Sequence, residues 1–450
     1  MEDTVKMKNQ LDFGHEKVGK LFRLIFFPTL VGMIFNSAFS LVDGIFVGKG
    51  IGPDALASVN IIAPYFSLTY GLGLMFGMGS SVIGGILLSD NKILEARRIM
   101  TMAFLTAILV ILIILTPTIL NPVYVIRLLG GSDLLIDGAM DYLVAMIPGF
   151  FFIIIQCLGL LLIRLDGSPK YAMYCPVIPI ALNFILDYLF IFTFDYWLAG
   201  AAWATSIGCI IGGIMVLVYF FWFSDKLKFT GIKFLQHFRS FIIDFIQIIK
   251  LGFATFLSEA AVGTMIFTGN YAFMKFAGEN GVAAYAVVCY LFPMVFSVAM
   301  AVSQSAQPII SFNYGMDDSQ RVKTALRYAV MTSVIIGIIV MSILWIFNKV
   351  IVSGFITPGE PSFYLAVNGL PYFATCAIFF ALNITFIGFY QSIERAWRSI
   401  WYTLLRGILL MIPAFIILPH LIGEIGLWLA IPVAEFITSV IIIILYVLKK

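Results

Sequence analysis

The chain has 450 residues, of which 61% are hydrophobic and only 11% are charged, and its net charge is +3. A soluble globular domain has about 25% charged residues, so this composition excludes a soluble globular protein. The five cysteines are isolated within apolar runs and the three histidines are scattered. This pattern argues against a disulfide framework, a haem and a zinc site, and we expect no cofactor and no nucleic-acid partner.

Apolar runs recur along the chain, each long enough to cross a bilayer core of about 30 Å. Since backbone groups in lipid must be hydrogen-bonded within their own segment, each run is predicted to be a helix. The predicted spans of the first half are residues 21–48, 55–88, 99–120, 134–163, 171–194 and 199–223. Those of the second half are residues 240–274, 281–312, 328–348, 362–390, 399–418 and 425–448. The sequence therefore predicts an all-α integral membrane protein with 12 transmembrane helices.

The loops on the two sides of the membrane differ in their content of lysine and arginine. With the N-terminus inside, 22 of the 27 Lys and Arg residues lie in cytoplasmic segments and four in outer loops. Cytoplasmic loops are enriched in these residues, so both termini are predicted to be cytoplasmic. The sparse charge and short loops favour a prokaryotic inner membrane.

The two halves of the chain resemble each other. The longest polar stretch predicts an N-lobe at residues 1–223, a cytoplasmic inter-lobe linker at 224–240 and a C-lobe at 241–450. "DALASV", starting at residue 54, parallels "GVAAYAV", starting at residue 281, and "GAAWATSI" parallels "GLWLAIPV" at nearly the same offset. With six spans in each half, the repeats share one orientation, and sites lie between or within such halves.

Ionisable residues inside spans are functional-site candidates, because each costs about 2.5–3.5 kcal/mol at the bilayer centre. Asp43 of span 1 and Asp187 of span 5 both fall in the outer half of the bilayer by the helical rise. Two carboxylates in one low-dielectric site cannot both be ionised cheaply, so the pair can take up a proton or a small cation such as Na⁺. Polar groups at similar depth are predicted to line the same chamber: Asn183, Thr205 and Tyr142.

Plainer explanations of these acids stay open. Asp43 can extend to the outer headgroups, and Asp187 can cap a local irregularity of the backbone. Pro28 removes a backbone hydrogen bond in span 1 and is either a site of bending or an ordinary membrane-helix proline.

The second half lacks the acid pair, since Asn270 and Pro413 occupy the equivalent positions. Instead Glu259, Arg406 and Glu435 form a candidate C-lobe site. By the helical rise Arg406 can reach Glu435, and we favour a structural ion pair. Glu259 is predicted either to bind a cation or substrate or to pair with the same arginine.

Several strings in this order resemble the MATE (multidrug and toxic compound extrusion) family of antiporters, over essentially the whole chain. They are "VDGIFVG" after Pro28, "DALASVNIIAP", "RLDGSPKYAM", "LNFILDYLFIF", "GAAWATSI", "GVAAYAV" and "SQSAQPIISFNYG". Two positions depart from the family pattern, with Tyr188 and Ala254 standing where proline is common.

The resemblance implies a MATE/MOP-type bundle of two six-helix lobes that alternates between inward and outward openings. It implies efflux of organic cations or other amphipathic small molecules, driven by H⁺ or Na⁺ influx, with Asp43, Asp187, Asn183, Thr205 and Tyr142 at the cation-coupling site. We expect a monomer in contact with membrane lipid and no enzymatic activity. A lipid-linked precursor flippase of the same superfamily is the alternative, and a membrane enzyme or channel is a more distant one.

Overall fold

The computed structural model describes residues 11–131, 133, 135–231 and 238–448. These residues form helices and turns, with no strand among them. The helices of the first half are α1 Val18–Gly50, α2 Pro53–Ser89, α3 Ile93–Leu120, α4 Pro122–Leu128, α5 Ile136–Leu165, α6 Pro169–Asp187 and α7 Trp197–Val218. Those that follow are α8 Phe238–Gly315, α9 Ser319–Ile346, α10 Asn348–Ser353, α11 Pro361–Ala374, α12 Cys376–Ser392, α13 Ala396–Leu404, α14 Met411–Ile422 and α15 Glu424–Val447.

Ten helical stretches within the described residues are long and apolar enough to cross a membrane. One of them, Phe241–Gly315, has 75 residues and would be about 112 Å long if straight, which is far more than one span needs. It breaks at Gly278, whose φ of 62° and ψ of −157° suit only glycine, so it holds two spans. Helices α11 and α12 meet at a bend of 42° and together form one more. The described residues thus carry twelve spans, and the predicted fold class is confirmed.

Three spans end or continue in π-helical turns, which the sequence did not predict. These turns are Tyr188–Thr193 after α6, Tyr219–Phe223 after α7 and Leu405–Leu409 after α13. A π turn adds a residue to the helical turn and is frequent at functional sites. Here one follows Asp187 directly and another contains Arg406, so two of the charged residues inside spans lie where α-helical geometry is interrupted.

The chain divides into two compact units. The first comprises Met1–Phe256 and Ser311–Ser319, and the second comprises Leu257–Ile310 and Gln320–Lys450. The linker predicted at 224–240 includes residues 232–237, which lie outside the described residues, and the predicted lobe boundaries stay predictions.

Helix α5 is at the centre of the first unit and packs against α2, α3 and α7. Small residues allow α5 and α7 to approach closely, as is typical of membrane helices. A Cβ atom added at Gly149 would lie 3.0 Å from the Cα atom of Ser206, and one added at Gly213 would lie 2.9 Å from the carbonyl oxygen of Phe152. Helix α6 packs against both α1 and α7. The four helices that carry the predicted N-lobe site residues are therefore neighbours.

A buried carboxylate fixes the turn that follows the last π-helical turn of the first unit. Asp166, at the end of α5, is 2% exposed and accepts hydrogen bonds from the Tyr219 hydroxyl (2.7 Å) and the Ser224 hydroxyl (2.9 Å). It also accepts from the backbone N–H groups of Lys226 (3.1 Å) and Leu227 (3.0 Å). Burial raises the pKa of Asp166, and the hydrogen bonds from Tyr219 and Ser224 oppose that shift.

Candidate functional site

Four helices of the first unit contribute the candidate site. Asp43 lies on α1, Tyr142 on α5, Asn183 and Asp187 on α6, and Thr205 on α7. All five side chains are buried, with exposures of 8%, 7%, 1%, 0% and 3% in that order. Burial of two acids and three neutral polar groups in one helical bundle is costly unless they contact one another or a ligand.

Asn183 links the two sides of the site. In the orientation that satisfies its neighbours, its Nδ2 atom donates to Asp187 Oδ2 at 3.0 Å and its Oδ1 atom accepts from the backbone N–H of Thr205 at 3.2 Å. In the opposite orientation Nδ2 lies 3.4 Å from the Thr205 hydroxyl. Asn183 and Asp187 are four residues apart on α6, so they project from the same face, as the sequence spacing predicts.

The remaining members of the site are within electrostatic reach of one another. The Tyr142 hydroxyl lies near the Thr205 side chain and within electrostatic range of both Asp43 and Asp187. The two carboxylates also interact with each other. The structure therefore brings together all five residues that the sequence singles out in the first half.

Each acid retains an oxygen atom without a hydrogen-bond partner in the described part of the chain. These atoms are Oδ1 of Asp43 and Oδ1 of Asp187, and both are fully buried. An unpaired buried carboxylate oxygen is expensive, and a proton or a small cation is what such an atom binds most readily. The ligand groups that the five site residues offer to a cation are carboxylates, hydroxyls and an amide. Such groups suit a proton or a hard cation such as Na⁺ better than a thiophilic metal.

The plainer explanations of the two acids can be compared with this geometry. Asp43 is buried at 8% exposure and is not extended to the protein surface. Asp187 does lie at a backbone irregularity, because the π-helical turn begins at the next residue. Its carboxylate makes no capping hydrogen bond there, so capping does not explain it.

In the second unit the predicted ion pair is present. Arg406 Nε lies 3.0 Å from Glu435 Oε1, and both side chains are 4% exposed. Glu435 also accepts from Asn383 Nδ2 at 2.7 Å, and Asn383 Oδ1 accepts from the Ser439 hydroxyl at 2.8 Å. The guanidinium stacks over Phe380, with 4.5 Å between Cζ and the ring centroid. The pair is thus one part of a network that joins α12, α15 and the Leu405–Leu409 turn.

Glu259 does not join this network. Its side chain is partly buried on α8, and it forms no ion pair with any residue that the structure describes. Pairing with Arg406, one of the two alternatives predicted for Glu259, is therefore not seen. The prediction that Glu259, Arg406 and Glu435 together form a C-lobe site has no geometric support beyond the Arg406–Glu435 pair.

Sequence reasoning does not identify two buried residues of the first unit, Cys209 and Arg164. The Cys209 thiol interacts with Tyr142 and lies one turn along α7 from Thr205, so the i,i+4 spacing could have placed it in the site. Arg164 falls just outside the predicted span 134–163, but it lies in the last turn of α5 and is only 4% exposed. No local pattern distinguishes such an arginine from one in a loop.

The fold and the site define a multi-pass membrane protein made of two repeated halves, one of which contains a buried acid pair. A model of the MatE family matches residues 28–189 and 254–417, which together are well over half of the chain. The chain belongs to this family. The two matched segments start 226 residues apart, in agreement with the internal repeat.

Relatives and solved structures agree with this assignment. The chain is 23% identical over 427 residues to the multidrug export protein MepA of Staphylococcus saprophyticus, covering 94% of this chain and 92% of MepA. MepA of Staphylococcus aureus is 22% identical over 425 residues, with the same coverage. A MATE transporter crystallised in complex with MaL6 is 20% identical, with a TM-score of 0.87 over 95% of each chain. A MOP superfamily transporter from Pyrococcus furiosus is also 20% identical, with a TM-score of 0.87 over 97% of each chain, and these structural likenesses show the fold.

Proposed function

We propose that this protein is a secondary-active exporter of small organic cations or other amphipathic molecules, driven by inward movement of H⁺ or Na⁺. The observation that supports this most is the buried pair Asp43 and Asp187, each with one unpaired carboxylate oxygen in the described part of the first unit. The family and the MepA relatives, which are multidrug export proteins, support an efflux role.

In the proposed cycle the coupling ion enters from the outside and binds at the acid pair. Two buried carboxylates repel each other when both are ionised, so the ion relieves a cost that the empty site carries. Asn183 and Thr205 hold Asp187 in place through the hydrogen bonds described above, and Tyr142 connects Thr205 to the neighbourhood of Asp43. Ion binding therefore changes the interactions among α1, α5, α6 and α7 together. We propose that this change displaces the substrate to the outside and returns the protein to an inward-open state.

The location follows from the same proposal. Export from the cell requires the cell membrane, and the sparse charge and short loops favour the inner membrane of a prokaryote. Both termini are then in the cytoplasm, as the distribution of Lys and Arg indicates. A monomer suffices, because the acid pair and its neighbours all belong to one chain. The proposal includes no enzymatic step and no cofactor other than the coupling ion.

The decisive experiment uses purified protein in proteoliposomes with an imposed pH or Na⁺ gradient and a fluorescent organic cation as substrate. Asp187→Asn keeps the size and a hydrogen-bonding group but removes the charge, and we expect it to abolish gradient-driven export. Asp141→Asn is the matched control, since Asp141 is an exposed acid on α5 next to Tyr142. Export by Asp187→Asn at the parent rate would remove Asp187 from the mechanism.

The same preparation separates the alternatives. Response to the pH gradient alone identifies H⁺, and response to the Na⁺ gradient alone identifies Na⁺. Movement of a lipid-linked precursor with no gradient-dependent movement of organic cations would instead support the flippase.

A further inference from the structure

The string "SQSAQPIISFNYG" has no part in the cation site, yet its asparagine makes a contact that spans most of the chain. Asn313, near the end of α8, is fully buried, and its Nδ2 atom donates to the backbone carbonyl of Phe13 at 3.1 Å. The two residues are 300 positions apart. A buried side-chain amide that binds a main-chain carbonyl fixes the position of that backbone segment.

The segment that Asn313 holds is a compact turn before α1. The Asp12 carboxylate accepts from the backbone N–H groups of Gly14 (3.0 Å) and His15 (3.2 Å), which is the hydrogen-bond pattern of an Asx turn. The turn directs Phe13, only 3% exposed, against Phe312, with 5.8 Å between the ring centroids. We call residues 12–15 the N-terminal turn.

The end of α8 beneath the N-terminal turn also packs closely against α2. A Cβ atom added at Gly85 of α2 would lie 3.1 Å from the Cβ atom of Ser311, and one added at Gly315 would lie 2.9 Å from the Cα atom of Ile86. The N-terminal turn leads directly into α1, whose first turns are anchored by the buried residue Leu21. It is therefore joined covalently to the first matched segment and, through Phe13 and Asn313, to the end of a helix of the second matched segment, and all of these residues lie within the first compact unit.

We propose that the N-terminal turn is a latch that stabilises the packing of the end of α8 against α2. This inference rests on the proposed function in one respect, because alternating access requires contacts between the repeats to form in one state and separate in the other. When α8 leaves α2, the carbonyl of Phe13 loses its buried donor and the Phe13 ring loses the cover of Phe312. The latch thus contributes stability to one state only, and a ligand or mutation shifts the equilibrium only by such a difference.

The experiment measures the α2–α8 contact directly. The pair Gly85→Cys and Ser311→Cys places two Cβ atoms close to the separation of about 3.5–4.5 Å that a disulfide needs. The rate of disulfide formation with a mild oxidant then reports how much of the time the contact is formed. The parent chain without the pair is the background control, because four of its five cysteines are buried and none forms a disulfide.

In this background we expect Phe13→Ala and Asn313→Ala each to slow disulfide formation by about fivefold, the effect of losing one ordinary buried interaction. His15→Ala is the matched control, since its side chain is 84% exposed and its ion-pair partner is Asp12 of the same turn. Hydrogen exchange at the end of α8 provides a second readout without cysteines and should become faster in the two latch variants only. Unchanged rates in both variants by both methods, or an equal change in His15→Ala, would overturn the latch.

The outcomes also separate the latch from the proposed function. If the parent chain shows no gradient-driven export but the latch variants alter disulfide formation, the proposed function fails and the latch stands. If the parent exports and the variants leave the contact unchanged, only the latch fails.

Discussion

The buried pair Arg406–Glu435 allows a quantitative test of a structural role against a transport role. Replacing Arg406 with Met leaves Glu435 ionised, 4% exposed and with Asn383 as its remaining donor, at 2.7 Å. Removing one partner of a buried ion pair costs about 3–5 kcal/mol. For a unit of roughly 200 residues, each kcal/mol lowers Tm by about 2–4 °C, so Arg406→Met should lower Tm by roughly 6–20 °C.

The double variant Arg406→Met/Glu435→Leu provides the sharper comparison. It removes both charges, and Asn383 Nδ2 keeps the backbone carbonyl of residue 435 as an acceptor at 2.9 Å. Replacement of both partners of a buried pair by apolar groups is often neutral or stabilising, so the double variant should recover most of the lost Tm. Arg395→Met, at an exposed position, is the matched control and should change stability by less than about 0.5 kcal/mol.

The assay is thermal unfolding in detergent, followed with a dye that becomes fluorescent on reaction with a thiol. Four of the five cysteines are buried, so the dye reports loss of tertiary structure. An Arg406→Met variant within about 2 °C of the parent would refute the argument, since the ion pair would then contribute less than about 1 kcal/mol. A stable double variant that has lost gradient-driven export would show instead that the pair takes part in transport.

Three further predictions use the first unit. Gly252→Ala should loosen the packing of the first span of α8 on α2, because the added Cβ would collide with the carbonyl of Met75. Hydrogen exchange around residue 252 should become faster, whereas Gly263→Ala, with nothing within 4 Å of the added Cβ, should have no effect. Asp166→Ala should make residues 224–231 sensitive to limited proteolysis, because each buried N–H group that loses its acceptor costs about 1–3 kcal/mol. The same change at the exposed acid of that segment, Asp225→Ala, should not. Tyr142→Phe removes the hydroxyl that lies near Thr205 and both acids, and a titration of export against coupling-ion concentration should show an apparent ion affinity about fivefold weaker. An unchanged titration would place the hydroxyl outside the coupling mechanism.

The spans and the acid pair could be predicted because both depend on local costs. A bilayer imposes a length and an apolar composition on every span, so hydropathy alone locates it. The same penalty makes Asp43 and Asp187 conspicuous, and the i,i+4 spacing of Asn183 and Asp187 follows from helix geometry. Their convergence with Tyr142 and Thr205 could be expected only because all four spans place them at similar depth.

Other features depend on packing that no local pattern records. The π-helical turn after Asp187 lies in an apolar string that reads as continuous α-helix. The burial of Arg164 could not be separated from a loop location, because a count of positive charges treats every arginine near a span end alike. The contact of Phe13 with Asn313 joins positions 300 residues apart, and such distant pairings are set by the assembled bundle.

In the proposed mechanism, the two acids that the described residues place at the first-unit site limit how the membrane voltage can contribute to export. If one monovalent ion enters for each monovalent organic cation that leaves, the exchange is electroneutral and only the chemical gradient of the ion drives it. If the ion exchanges for a neutral substrate, or if both carboxylates load for one monovalent cation, one net charge crosses in each cycle, and every 100 mV adds about 2.3 kcal/mol. If both carboxylates load a monovalent ion and the substrate is neutral, two net charges cross in each cycle, and this is the upper limit for a pair of carboxylates. The sensitivity of export to a membrane potential set with valinomycin would reveal which ion-to-substrate ratio applies.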